Sequence, residues 1–146
     1  ATQDIHVGVS LSISIMSDTS VVAAPPKAPP PLARYARSTT HQGLNFCSGI
    51  AAISDVQSSD NHATAFVKRS RYVLDSLRSV LEEVGSGLDR VLKVNVYLTS
   101  MEDYADFNEV WDEYFTQDQK PARTCVVVHQ LPRGADVEIE ATAFTA

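Results

Sequence analysis

Arg123 opens an otherwise apolar strand pattern, "TCVVV", and Glu138 and Glu140 stand inside the next one, "VEIEA". Strands that pack into a core normally keep charges at their ends or on the wet face, so both placements call for an explanation. A guanidinium offers a fixed fork of donors for bidentate contact with a carboxylate, worth more in a cleft than at the surface. A glutamate held nearby is equipped to take and return protons. The plain alternatives are a strand-end salt bridge for Arg123 and a solvent-facing position for the glutamates, which point to one side by alternation. Cys125 and then His129 follow on the Arg123 face. No second metal ligand stands at usable spacing from His129, so a satisfied structural histidine is the default and no metal is implied.

The elements that must position these residues are legible. "GLNFCSGIAAI" is a buried strand ending near Gly49. From about Ala63 to Val84, Phe66, Val73, Leu74, Leu77, Val80 and Leu81 recur at spacings of three and four, an amphipathic helix with Gly85 as its stop. "DRVLKVNVYLTS" alternates as a strand. "SMEDYADFNEVWDEYF" is a second helix, capped by Ser100, with Tyr104, Phe107, Trp111 and Phe115 as its buried stripe and Asn108 beside it. Strands from Arg123 to Gln130 and from Val137 to Phe144 close the chain, joined by the turn "LPRGAD". The order predicts an α+β fold in which two helices cover one face of a small mixed sheet. Apolar residues point to both faces of the strands, so the uncovered face predicts self-association.

Composition narrows the partners. With 146 residues, a net charge of −6 and no basic stripe, the chain is a poor match for a nucleic-acid surface. No run of 18 apolar residues exists, so no membrane span is expected. Two cysteines do not make a disulfide framework, and reduced, buried thiols are the expectation for Cys47 and Cys125. Residues 1–33 read as an N-terminal extension ahead of a single domain over 34–146. Its alternating "HVGVSLSISIM" suits an added edge strand or a passenger before Met16, and the Pro-rich "AAPPKAPPPL" suits an extended arm. No Lys or Arg precedes Lys27, so no export or transit signal is evident; a cytoplasmic location is expected, with a mitochondrial one left open.

"PARTCVVVHQLPRGADVEIEA" resembles the C-terminal signature of the Rid (YjgF/YER057c) family: Pro-Ala-Arg-Ser/Thr, a short apolar strand, Leu-Pro, then Ile/Val-Glu-Ile-Glu. "GLNFCSG" is similar to that family's strand ending in Ser-Gly, and residues 77–115 to its helix–strand–helix block, so the likeness spans about Arg34 to Phe144. The resemblance implies a chorismate-mutase-like α+β fold assembled as a homotrimer around a central barrel, with larger assemblies such as a hexamer left open. It implies hydrolysis of reactive enamines or imines to keto acids and ammonia, without cofactor, in clefts between subunits that take small carboxylates.

By the same resemblance Arg123 binds the substrate carboxylate and Glu138 holds the attacking water and relays a proton. Asn108 is a donor to a substrate oxygen, Tyr35 closes the cleft, Gly49 admits close backbone approach, and Cys125 is a wall of the pocket. "HQLP" at His129 is similar to the subgroup acting on 2-aminomuconate, whereas the Tyr35, Asn108, Arg123, Cys125 and Glu138 set suits 2-imino acids. Departures from the family pattern, Ala33-Arg34, Ile50-Ala51-Ala52 and Arg69-Ser70, surround the expected cleft mouth and bear on substrate identity. A non-catalytic ligand sensor or chaperone-like binder, and an RNA-cleaving translation inhibitor, are the competing readings.

Overall fold

The computed structural model describes residues 20–21, 31–53 and 60–145. The alternating stretch from Val7 to Ile15 and residues 23–30 of the Pro-rich arm lie outside the described residues. The elements run β1 (Ser20–Val21), β2 (Ser38–His41), β3 (Leu44–Ala51), α1 (His62–Glu83), β4 (Val91–Leu98), α2 (Tyr104–Tyr114), β5 (Ala122–Val127) and β6 (Val137–Phe144). They form one sheet in the order β1-β2-β3-β6-β4-β5, with β4 and β5 parallel and every other neighbouring pair antiparallel. Because β6 is antiparallel to both β3 and β4, those two strands are themselves parallel. The chain crosses from one to the other through α1 and leaves a gap that β6 later fills, a split β-α-β arrangement.

Local signals explain the helices. The Asn61 side chain accepts from the N–H of Thr64 at 2.9 Å, capping α1. Its far end closes as a Schellman turn: Ser86 N–H donates to Leu81 C=O, Gly85 N–H to Glu82 C=O, and Gly85 takes φ +72°. The expected α1 stripe is buried, Phe66, Val73, Leu74 and Leu77 completely. In α2 the stripe holds for Phe107, Trp111 and Phe115, but Tyr104 is 38% exposed, being the first residue of the helix.

Both helices lie on one side, against Val94, Val96 and Leu98 of β4 and Val137, Ile139 and Ala141 of β6. The opposite side carries no element among the described residues. Leu44, Phe46 and Phe144 stand exposed there, brought together by the Leu44↔Phe144 and Phe46↔Thr142 register, and Val126 of β5, registered with Tyr97, is exposed on the same face.

Three boundaries differ from the sequence expectation. β3 continues to Ala51, because the register slips between Cys47 and Ile50 and the strand resumes after the irregularity. β5 stops at Val127, so His129 does not continue the Arg123 face; it is exposed in the following bend. The short strand β2, polar and only four residues long, carries too little apolar alternation to be read in advance.

Candidate active site

Glu138 lies on the central strand β6, between Val137 and Ile139, which are both fully buried against the helices. Alternation therefore turns its carboxylate, with that of Glu140, to the open side of the sheet. The two differ in partners. Glu140 accepts from Asn95 at 2.8 Å and from the Tyr97 hydroxyl at 2.7 Å, a network that also raises the Tyr97 pKa. Glu138 has no hydrogen-bond partner among the described residues. Burial, and then the charge of Glu140, push its carboxyl above the ordinary glutamate range.

The space for that carboxylate comes from Gly49. A Cβ built on Gly49 would collide with the Glu138 carboxylate oxygen Oε1. Ser48 beside it folds the preceding segment onto the strand, its N–H donating to Arg37 C=O at 2.8 Å and its hydroxyl to Ala36 C=O at 2.7 Å. Tyr35 is thereby brought into the same concavity as Gly49 and Glu138, with Leu32, Ala51 and Pro132 as further walls. Arg69, one of the departures in α1, clasps Asp136 with both ends of its guanidinium, one contact at 2.8 Å, and so anchors the entry to β6 two residues before Glu138. Gly49→Ala should displace the Glu138 carboxylate without unfolding the chain. Thermal unfolding at the wild-type midpoint together with a shifted Glu138 titration, followed by carboxylate NMR, is the expected result.

Arg123 belongs to the other side. It registers with Val94 of β4, and Cys125 with Val96, so both side chains lie on the helix face. The guanidinium donates to the Tyr104 hydroxyl at 3.3 Å and stands over the rings of Trp111, at 4.8 Å, and Tyr104, at 5.7 Å. Among the described residues it has no carboxylate partner. The strand-end salt bridge is therefore not what occupies it. Asn108 falls between Tyr104 and Trp111 on the same helical stripe, and its buried Oδ1 has no hydrogen-bond partner among the described residues.

The sequence-derived site thus divides. Tyr35, Gly49 and Glu138 come together; Asn108, Arg123 and Cys125 come together; His129 joins neither group by any recorded contact. Arg123 and Glu138 sit two strands apart on opposite faces, roughly 10 Å across the sheet and roughly 10 Å along it. Cys125 is half-buried and free, its thiol raised by burial with Arg123 pulling the other way, which suits a wall more than a nucleophile. Cys47 is free as well, and burial pushes it up to about 12.

Sequence reasoning places Tyr104 and Trp111 in the core stripe and misses their contact with Arg123. Their spacing of four and three residues from Asn108 is the available signal. Among the described residues no group of acidic, His or Cys side chains could hold a metal ion, and no helix is long and apolar enough to cross a membrane.

Fold and site together define an α+β protein with helices on one sheet face, an unmatched guanidinium on one strand and a raised carboxyl on another. A family model described as "Endoribonuclease L-PSP" matches residues 25–145. The chain belongs to this family, the Rid (YjgF) family. It is 37% identical to Protein HMF1 of Saccharomyces cerevisiae over 118 residues, covering 80% of this chain and 88% of the relative. A RutC family protein of Pyrococcus abyssi is 35% identical over 118 residues, 81% and 91% of the two chains. The crystal structure of YyfA from Yersinia pestis, described as a conserved Rid family protein of unknown function, superposes with TM-score 0.77 at 29% identity, covering 87% and 99%. That of Escherichia coli TdcF with bound serine gives 0.72 at 26% identity, covering 82% and 94%.

Proposed function

We propose that this chain is a cofactor-independent deaminase that hydrolyses a reactive enamine or imine carboxylate to the keto (or enol) acid and ammonia. It works as a homotrimer around a barrel formed by the open sheet faces, with each site assembled from two subunits. The observation that carries the proposal is the half-buried Arg123 guanidinium, held on aromatic faces and lacking any acid partner among the described residues. A cation so placed is a receptor for an external carboxylate. The separation of Arg123 from Glu138 supports the assembly, since one chain cannot turn both on one small ligand. TdcF, described with bound serine, is a relative holding a small amino carboxylate.

In this mechanism the ligand carboxylate pairs with Arg123 of one subunit, and water is held by Glu138 of the next. An enamine first takes a proton from solvent at carbon to become the iminium. Water then adds to the C=N carbon while Glu138 accepts one of its protons, giving a neutral carbinolamine. Return of that proton to nitrogen makes ammonia the leaving group, and as the C–N bond breaks the hydroxyl proton passes to solvent, leaving the C=O bond. The same residues would serve 2-imino acids and 2-aminomuconate, so substrate choice falls to the cleft mouth. His129, in an exposed bend outside both groups, is the residue through which the HQLP resemblance favours the dicarboxylate. A cytoplasmic or mitochondrial location is part of the proposal, MMF1 of Saccharomyces cerevisiae being named a mitochondrial relative.

The test is ammonia release from freshly generated 2-iminobutanoate and from 2-aminomuconate, side by side, with sedimentation to size the particle. Failure to exceed spontaneous hydrolysis on either substrate would overturn the deaminase, and a monomer would overturn the shared site. The pH profile adds a signature. Activity requires the Glu138 carboxylate, so kcat/KM should fall toward acid with an inflection above the ordinary glutamate range. Glu140→Gln removes the lesser of the two causes and should move that inflection part of the way down. Stability has the opposite sign: a raised carboxyl favours its protonated form in the fold, so the Glu138 contribution is full at low pH and lost as pH rises through the raised value.

A further inference from the structure

Tyr104 touches Arg123 through its oxygen, and that oxygen accepts; its own proton is left over. The only hydrogen bond of the Tyr104 hydroxyl among the described residues is the one it receives from Arg123 Nη2 at 3.3 Å. The side chain is 38% exposed, so the remaining O–H stands beside the guanidinium in reach of an arriving ligand. Trp111 supplies the platform. It is 5% exposed and braced by Phe115, with ring centroids 4.1 Å apart, and by Phe107 at 6.2 Å, while Arg123 lies 4.8 Å above it. A guanidinium so backed loses less freedom on binding than one swinging in solvent.

We propose that Tyr104 is a specificity-determining residue of the carboxylate site, its hydroxyl donating to a ligand oxygen already paired with Arg123, on a guanidinium held in place by Trp111. The inference rests on the reading of Arg123 as the carboxylate receptor. An anion that accepts from both an N–H of the guanidinium and the phenolic O–H gains one donor more than arginine alone offers, and a neutral amide gains little from either. Asn108 lies between the two rings, and its buried, unpartnered Oδ1 would take an N–H. A carboxylate with a nitrogen-bearing neighbouring carbon fits both features.

Trp111 is the single tryptophan of the chain, so its fluorescence reports directly on events at Arg123. The full chain is titrated with 2-oxobutanoate and with 2-oxobutanamide, following that emission, with calorimetry alongside. Wild type should bind the acid and discriminate against the amide. Tyr104→Phe, conservative at a partly exposed position, should weaken the acid by about tenfold, the scale of one charge-assisted hydrogen bond, and leave the amide unmoved. In turnover the same loss should fall on KM and spare kcat. Trp111→Phe, read by calorimetry, should weaken the acid several-fold. Acid binding by Tyr104→Phe equal to wild type, or an equal loss for acid and amide, would overturn the inference alone. Wild type that binds the acid yet releases no ammonia would overturn the deaminase reading while a Tyr104→Phe loss still supports the clamp. Wild type that binds no acid would overturn both.

Discussion

Arg123→Ala is expected to lower kcat/KM for imine hydrolysis by about three orders of magnitude, the upper range for losing a preorganised electrostatic donor. The guanidinium makes no ion pair within its own chain among the described residues and only one hydrogen bond, so the substitution leaves no buried charge behind. Its ring contacts are with α2 of the same chain, away from the open sheet face. The particle should therefore sediment as wild type. Arg123→Lys keeps the charge and loses the planar fork, so it should recover part of the activity and still fall well short. Full turnover by Arg123→Ala would remove the carboxylate receptor from the proposal.

A second large effect follows from the division of the site. Arg123→Ala and Glu138→Gln should each be nearly inactive alone, the latter through loss of an acid–base group, a change of about a thousandfold. Unfolded together in equal amounts and refolded, they should regain activity. A site that takes Arg123 from one subunit and Glu138 from its neighbour is intact whenever the Glu138→Gln variant supplies the arginine and the Arg123→Ala variant supplies the glutamate. Random mixing makes that roughly a quarter of all sites in a closed ring. The rate of the mixture, compared with either variant refolded alone, decides the matter. No recovery would show that both groups serve one chain, contrary to their placement on opposite faces.

The large elements were legible because their chemistry repeats. The α1 stripe and the β4 and β6 alternation each set many apolar residues in one period, and β6 runs from Val137 to Phe144 as the pattern indicates. What local pattern does not encode is which face of which neighbour a strand meets. Arg123 and Glu138 look adjacent in the signature, yet β4 stands between β5 and β6, and the registers Val94↔Arg123 and Tyr97↔Glu138 put the two side chains on opposite faces. Tyr104 was hidden for another reason: as an aromatic at helical spacing it satisfies the rule for core residues, and only its place at the start of α2 exposes it. Gly49 is the opposite case. A glycine inside a strand signals close approach, and here the approaching group is the Glu138 carboxylate.

The position of β6 also has a bearing on biogenesis. Ribosomes deliver β3 and β4 long before Val137 emerges, and until then each presents a bare row of backbone donors and acceptors to its surroundings. A nascent chain at that stage holds two sticky edges and an unclosed hydrophobic layer, so its need for chaperone protection should peak just before synthesis of the segment that carries the glutamates.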